Sequence, residues 1–319
     1  ANLLTQGMVL NHIFHRTPTL PTAASSSDGA TATTPGRREY FNPVDVDLVV
    51  DAATRQAKAT LRKDGSAVDY EGLGTMSKSR NNGVDPNLLT GKYGADTARL
   101  FMMFTAPPEQ TLEWSDEGVL GANRFLRRVW KAVYEHVSAA AATSPLPALD
   151  TAALDGAARD LRRIAHQTLG KVKDDIGRRQ VFNTAIAAVM ELLNAVARLP
   201  AGERQARAVR QEALTIAVLC LSPIVPHIAH ALWQELGHRE PLHRTQWLPV
   251  DPAALTQQLV EIVVQVNGKL RGRISLAPTA ADDELRAAAL ADPQIQRHLE
   301  GREPVKVIVV RGKLVNVVV

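Results

Sequence analysis

At 319 residues with 45% hydrophobic side chains, the chain is long enough for two or three units with cores of their own. Its formal charge of only +4 is compatible with a nucleic-acid partner but argues for one only where basic residues cluster. The single cysteine, Cys220, lies in an apolar stretch. That excludes a disulfide framework or a cysteine-based zinc site within the chain and suits a reducing cytoplasm, and no apolar run is long enough to span a bilayer.

In chain order, residues 3–10 form a short apolar segment around Gln6-Gly7. An opening Ala1 followed by this segment is neither a secretion signal nor a translation start, which predicts entry partway through a folded domain. Residues 17–36 are Thr, Ala, Ser, Pro and Gly with almost no large apolar side chains, a composition expected to stay a mobile loop. Val44, Val46, Leu48 and Val50 then alternate with Asp45, Asp47 and Val49, the period of a strand. Lys63-Asp64-Gly65-Ser66 supplies a turn, so residues 11–71 read as a β-rich insertion with a floppy tip. Residues 72–108 read as a loop followed by helical and apolar segments.

From Gly118 the pattern is helical. Phe125, Leu126, Val129, Trp130, Val133, Tyr134 and Val137 form an apolar stripe, with Arg124, Arg127, Arg128 and Lys131 off it. Residues 143–149 break the pattern. Further helical runs cover 154–173, a stretch carrying Phe182, Ile186, Val189, Met190, Leu193 and Val196, and 205–221; Pro223 and Pro226 predict a kink before 228–236 resumes. Several helices with short links make an antiparallel bundle. Arg178, Arg179, Arg204, Arg207 and Arg210, with Arg124, Arg127 and Arg128, either neutralise phosphates or form solvated helix faces. Trp114, Trp130, Trp233 and Trp247 read as packing anchors. His227 and His230 stand one turn apart with no carboxylate or cysteine at ligand spacing, so they read as core or helix-end residues and no metal site is expected.

Val260–Val266, Asn267-Gly268 and residues 269–274 form a hairpin signal, because Asn-Gly suits the turn whose twist matches paired strands. Two short helical patterns and a second hairpin around Arg311-Gly312 follow. The order ββααββ predicts a small α+β domain over 255–319. Lys269, Arg271 and Arg273 alternate along one strand and are expected on one face, extended by Arg311 and Lys313. Such a stripe suits the shape-based recognition of folded RNA, although protection of an edge strand gives the same pattern.

The segment richest in chemistry is Thr75-Met76-Ser77-Lys78-Ser79-Arg80-Asn81-Asn82-Gly83-Val84-Asp85-Pro86. Gly72 and Gly74 precede it, Asn82-Gly83 supplies a turn, and Asp85 before Pro86 is a helix N-cap with proline at the first helical position. A cationic, hydroxyl-rich loop of this kind can stabilise charge building on a departing pyrophosphate. Taken alone, Ser-Lys-Ser is common in surface loops and reads as a solvated loop. A Walker-type phosphate loop is absent, since Gly91-Lys92 is followed by Tyr93.

Residues 76–86 resemble the KMSKS signature of class I aminoacyl-tRNA synthetases with its usual continuation. The segments 93–101, Leu112-Glu113-Trp114, 121–125, 175–179, 182–186, 226–228, 232–236 and 264–269 resemble the leucyl-type enzymes of bacteria. The resemblance covers nearly the whole chain outside 17–36. It implies a multidomain α/β plus α architecture. Residues 1–10 would end a Rossmann-type catalytic core, 11–71 would be the leucine-specific β-rich insertion, and 72–114 the signature loop with connecting helices. Residues 115–250 would form the anticodon-binding helical bundle and 255–319 the tRNA-binding α+β domain.

The resemblance also implies a ligase that activates leucine with ATP, with Mg2+ accompanying the nucleotide, and transfers it to tRNA(Leu). Lys78 would contact ATP, while Ser77 and Ser79 would shape the loop with Thr75 and Met76 as motif positions. The signature's first lysine is Thr75 here, which removes a phosphate contact or passes it to Arg80. The family's HIGH motif is expected upstream: His12-Ile13-Phe14-His15 resembles it only superficially, with Phe where the motif needs Gly. The leucine pocket, the editing domain and any zinc module are also expected before Ala1, so this part should be inactive alone in an enzyme that is cytoplasmic and monomeric when complete. A purely tRNA-binding module and a piece of a valyl- or isoleucyl-type synthetase are the competing readings.

Overall fold

The computed structural model describes residues 7–21, 33–141, 146–200, 205–256, 260–277, 280–299, 301–310 and 313–319. The chain divides into two compact units, Ala1–Val250 and Asp251–Val319.

The first unit begins with strands β1 (Val9–Arg16), β2 (Thr19–Pro21), β3 (Thr33–Pro35), β4 (Glu39–Phe41), β5 (Val46–Val50), β6 (Ala57–Leu61) and β7 (Ala67–Thr75). Their main sheet runs β4-β1-β7-β6-β5. Phe14, Phe41, Val46, Ala59, Leu61 and Val68 fill its core. The β6–β7 turn forms as the sequence expects: Asp64 Oδ1 accepts from Ser66 N at 2.9 Å, and Gly65 takes the positive φ of +69°.

Three expectations for this region need correction. Residues 22–32 lie outside the described residues, but the flanks of the expected loop pair as β2 and β3, Thr19 opposite Pro35. Val44 is 64% exposed and sits in a 3-10 turn before β5, because the Asn42 side chain accepts from Val44 N and Pro43 favours the turn. Gly72 and Gly74 belong to β7, where they pair with Ile13 and Asn11, and not to a loop.

Helices α1 (Pro86–Tyr93) and α2 (Ala95–Thr105) follow, then strand β8 (Leu112–Glu113), which joins β1 in parallel. The bundle comprises α3 (Asp116–Ala141), α4 (Gly156–Asp174), α5 (Phe182–Arg198), α6 (Ala206–Leu221) and α7 (Pro226–Glu235). Its core joins Phe125, Leu161, Leu169, Ile186, Leu192, Leu214 and Leu219. On α3, Phe125, Leu126, Val129 and Val133 are buried as the stripe predicts. Trp130 and Tyr134 are not: they are 44% and 64% exposed. Trp130 is therefore not a packing anchor, unlike Trp233, which is buried and stacks on His238 with ring centroids 3.7 Å apart. Cys220 is buried, and burial pushes its thiol well above the usual range. Among the described residues no helix is long and apolar enough to cross a membrane.

The second unit carries β9 (Val260–Val266), β10 (Lys269–Leu276), α8 (Asp282–Ala291), α9 (Pro293–Leu299), β11 (Lys306–Val310) and β12 (Leu314–Val318). Its sheet runs β10-β9-β12-β11, with β9 and β12 parallel. Ile262, Val264, Val266 and Ile274 pack with Leu285, Ala289, Ile295 and Leu299. Asn267 and Gly268 both take positive φ, +49° and +76°, as the hairpin turn requires.

Candidate functional site

The signature loop grows directly out of the sheet. Thr75 ends β7 and its hydroxyl donates to Met8 Sδ at 3.5 Å, while Met76 N donates to Val9 O at 3.0 Å. Ser77 then caps a 3-10 turn over Lys78–Arg80: its hydroxyl accepts from Arg80 N at 3.3 Å and lies 3.2 Å from the Ser79 hydroxyl. Asn81 closes the turn in the left-handed region, φ 48°, and its side chain donates to Tyr40 O at 3.3 Å.

The pin beneath this turn is Asn82, which is fully buried. Its Oδ1 accepts from Ser77 N at 2.8 Å, and its Nδ2 donates to Gly74 O at 3.3 Å and Thr75 O at 3.4 Å. Asn11, also buried, donates to Asn82 O at 3.0 Å, and Asn42 donates to Gly83 O at 3.2 Å. A buried amide satisfied on every side fixes its neighbours more firmly than a solvated one. Sequence inspection takes Asn82-Gly83 for a turn and misses this anchor, because Asn11 and Asn42 reach it from distant parts of the chain.

Lys78 is exposed on top of the turn and makes no ion pair among the described residues. Its ammonium therefore faces solvent from a fixed backbone, able to meet an anion without first giving up another partner. Arg80 turns the other way, its Nη1 lying so close to Gly74 that a Cβ there would stand 2.9 Å away. Beyond the loop, Asp85 Oδ1 accepts from Asn87 N at 2.8 Å and Pro86 opens α1, as expected.

Helix α2 links this region to the bundle. Asp96 Oδ2 accepts from Ile228 N at 2.7 Å and Oδ1 lies 3.0 Å from His227 Nδ1, so the carboxylate caps the start of α7. Arg99 donates to Ile224 O at 2.8 Å and Pro223 O at 3.0 Å, covering the carbonyls freed where α6 ends. His227 is thus a helix-end residue. The carboxylate that meets it comes from a distant helix, and among the described residues no group of three or more potential metal ligands converges.

The bundle's arginines divide sharply. Helix α4 continues into a π turn, Asp175–Arg179, around the buried Asp175. This carboxylate accepts from Lys171 Nζ and Arg179 Nη1 at 2.6 Å each and from Thr184 Oγ1 at 2.7 Å. Burial pushes its pKa up, but the Lys171 and Thr184 hydrogen bonds and the charges of Lys171 and Arg179 outweigh it and hold the pKa below the usual value. Arg178 pairs with Asp174 at 2.6 Å, and Arg210 donates to Leu199 O at 2.8 Å. Arg204 lies outside the described residues. Arg124, Arg127 and Arg128 remain on the solvent side of α3, with Arg128 over the Phe125 ring.

In the second unit the basic residues do not share a face. The β9–β10 register shifts between Leu270 and Gly272, leaving Arg271 in a bulge. Lys269 lies opposite the core-facing Val266, whereas Arg273 lies opposite Val263 on the other side and pairs with Glu261 at 2.6 Å. One extra residue reverses the alternation that strict period two would give. Arg271 and Arg273 instead meet Arg297 and Gln294 of α9 around a cleft of about 740 Å³. Arg297 carries no sequence signal of this role, being on a separate helix. Lys313 follows β11 and donates from its backbone to Val310 O at 3.0 Å; Arg311 lies outside the described residues.

Residues 158–286 match the model of the anticodon-binding domain of tRNA ligases. The leucine–tRNA ligase of Nitrosospira multiformis is 52% identical over the whole chain, and that of Stenotrophomonas maltophilia R551-3 is 51% identical over the same extent. The chain spans only about a third of the length of these curated relatives, 35% and 34%. Among solved structures, the ternary complex of Agrobacterium radiobacter K84 agnB2 LeuRS with tRNA and LeuAMS matches with a TM-score of 0.62 and 25% identity. That match covers 76% of this chain and 31% of the other.

Proposed function

We propose, from its full-length homology to the C-terminal part of leucine–tRNA ligases, that this chain supplies the ATP-facing arm and the tRNA-holding modules of such an enzyme. The complete ligase would activate leucine with ATP to the leucyl-adenylate and transfer it to tRNA(Leu), in the cytoplasm and as a monomer. Identity near one half along the entire chain carries this reading.

In it, residues 1–10 close the Rossmann-type catalytic core and 11–71 form the leucine-specific insertion. Residues 72–114 present the signature loop, and 115–250 and 255–319 grip tRNA. Lys78 would meet the ATP phosphates as negative charge moves onto pyrophosphate, its approach prepaid by the Ser77–Asn82 scaffold. Thr75, Met76, Ser77 and Ser79 would shape the arm. Mg2+ would accompany the nucleotide, held by its own phosphates. Lys269, Arg271, Arg273, Arg311 and Lys313 would contact tRNA phosphates.

Two measurements on the 319-residue chain test this. It should bind a leucine-accepting tRNA transcript, and it should show no leucine-dependent exchange of pyrophosphate into ATP. Exchange by the chain alone would sink the assignment of the remaining catalytic groups to other sequence; absence of tRNA binding would sink the grip.

A further inference from the structure

The face that α3 turns to solvent mixes aromatic rings with cations. Trp130 is 44% and Tyr134 64% exposed, and at one-turn spacing they share a helix face. Arg124, Arg127 and Lys131 are exposed on the same side. A cleft of about 290 Å³ opens beside Trp130, lined also by Arg127, Asn123 and Ile228. Arg127 Nε donates to Asn123 Oδ1 at 3.1 Å, and Asn123 Nδ2 donates to Thr97 Oγ1 at 3.2 Å, so the guanidinium is held at the cleft by a relay into α2. The carboxylate among the lining residues, Asp96, is already engaged by His227 and the α7 backbone.

An indole half out of water beside a positioned guanidinium presents a flat π-face with a cation at its rim. A protein partner would call for a contiguous apolar surface, whereas here every ring is flanked by cations. Nucleic acid answers both features: each base offers a π-face for the indole, and the phosphates on either side answer the cations. Lys131 is paired with Glu135 only through an exposed contact of 3.6 Å, weak enough to be exchanged for a phosphate.

We propose that this cleft receives one unpaired base of tRNA, stacked on Trp130, with Arg124, Arg127 and Lys131 against the flanking phosphates and Tyr134 as a second aromatic surface. The proposal rests on the tRNA-holding reading above and adds to it a base-stacking site outside the signature loop.

The test uses the 319-residue chain and a leucine-accepting tRNA transcript, reading both affinity and tryptophan emission across a salt series. In the unaltered chain, tRNA should quench emission. Trp130→Phe should keep most of the affinity but lose that component of the quench, which separates it from Trp114, Trp233 and Trp247. Trp130→Ala should weaken binding roughly tenfold with the salt dependence unchanged, since stacking releases no counterions. Arg127→Ala should weaken binding and flatten the salt dependence. A base-paired RNA hairpin without unpaired stem nucleotides and closed by a chemical linker should bind the unaltered chain and Trp130→Ala equally. Equal tRNA affinity of the two proteins, or a quench that survives Trp130→Phe in full, overturns the base site while the tRNA grip stands. Failure of the unaltered chain to bind tRNA overturns both. Trp130 is exposed, so a Trp130→Ala protein with the original circular dichroism and melting temperature keeps the result interpretable.

Discussion

Asn11 and Asn82, 71 positions apart, exchange amide-to-carbonyl hydrogen bonds beneath the signature loop, with Asn11 Nδ2 3.0 Å from Asn82 O and Asn82 Nδ2 3.5 Å from Asn11 O. The pair fastens the turn that presents Lys78 to the strands it leaves. Replacing Asn82 with Ala removes the acceptor for Ser77 N and strands buried carbonyls, at a cost of about 1–3 kcal/mol. The loop should loosen before the domain unfolds. Trypsin should therefore cut after Lys78 or Arg80 faster in Asn82→Ala than in the parent chain, by a larger factor than at sites elsewhere. Equal rates at the loop would show that the amide does not hold it.

Lys78 provides the complementary test. In a complete ligase carrying this segment, Lys78→Ala should slow leucine-dependent pyrophosphate exchange by roughly 100-fold or more, the loss typical of one charge-stabilising donor. Its tRNA affinity should change by less than about twofold, because a single exposed side chain on the loop contributes little to a large RNA interface. Equal losses in exchange and tRNA binding would refute the assigned role.

These two residues also mark what a sequence can reveal. Signals contained in a few neighbouring residues translate directly into structure: Asp85-Pro86 starts α1, Asn267-Gly268 turns the last hairpin, and the α3 stripe buries Phe125, Leu126, Val129 and Val133. Long-range partners leave no local trace. The Asp96 contact to His227 spans 131 positions, so the histidine looks partnerless in sequence. Periodicity also fails where the backbone slips, as at the Arg271 bulge, and where an apolar ring sits at the margin of a stripe, as with Trp130.

Asp175 makes stability depend on acid. Its folded pKa lies below the unfolded value, so its contribution is complete above about pH 4 and disappears as pH falls through the depressed folded value. Asp175→Asn removes the charge that Lys171 and Arg179 share and should cost about 2 kcal/mol at pH 7. Urea midpoints measured from pH 7 to pH 2 should converge for the two proteins at the acid end. A constant gap across the range would mean that the carboxylate's charge plays no part in the π turn.

The bulge changes what should be expected of the basic strand in the second unit. Without it, Lys269, Arg271 and Arg273 would act as one stripe; with it, Lys269 faces away from Arg273, and Arg271 is grouped with Arg297 of α9 around the edge cleft. Removing two phosphate-neutralising charges together lowers the slope of log affinity against log salt by about 1.4–1.8. That fall is expected for Arg271→Ala with Arg297→Ala, measured as tRNA binding by the 319-residue chain, while Lys269→Ala alone should lower the slope by only about 0.7–0.9, the loss of one phosphate contact. If the double variant keeps the parent slope, these arginines serve to keep the exposed β10 edge from pairing with other chains, and the variant should then aggregate more readily at low salt.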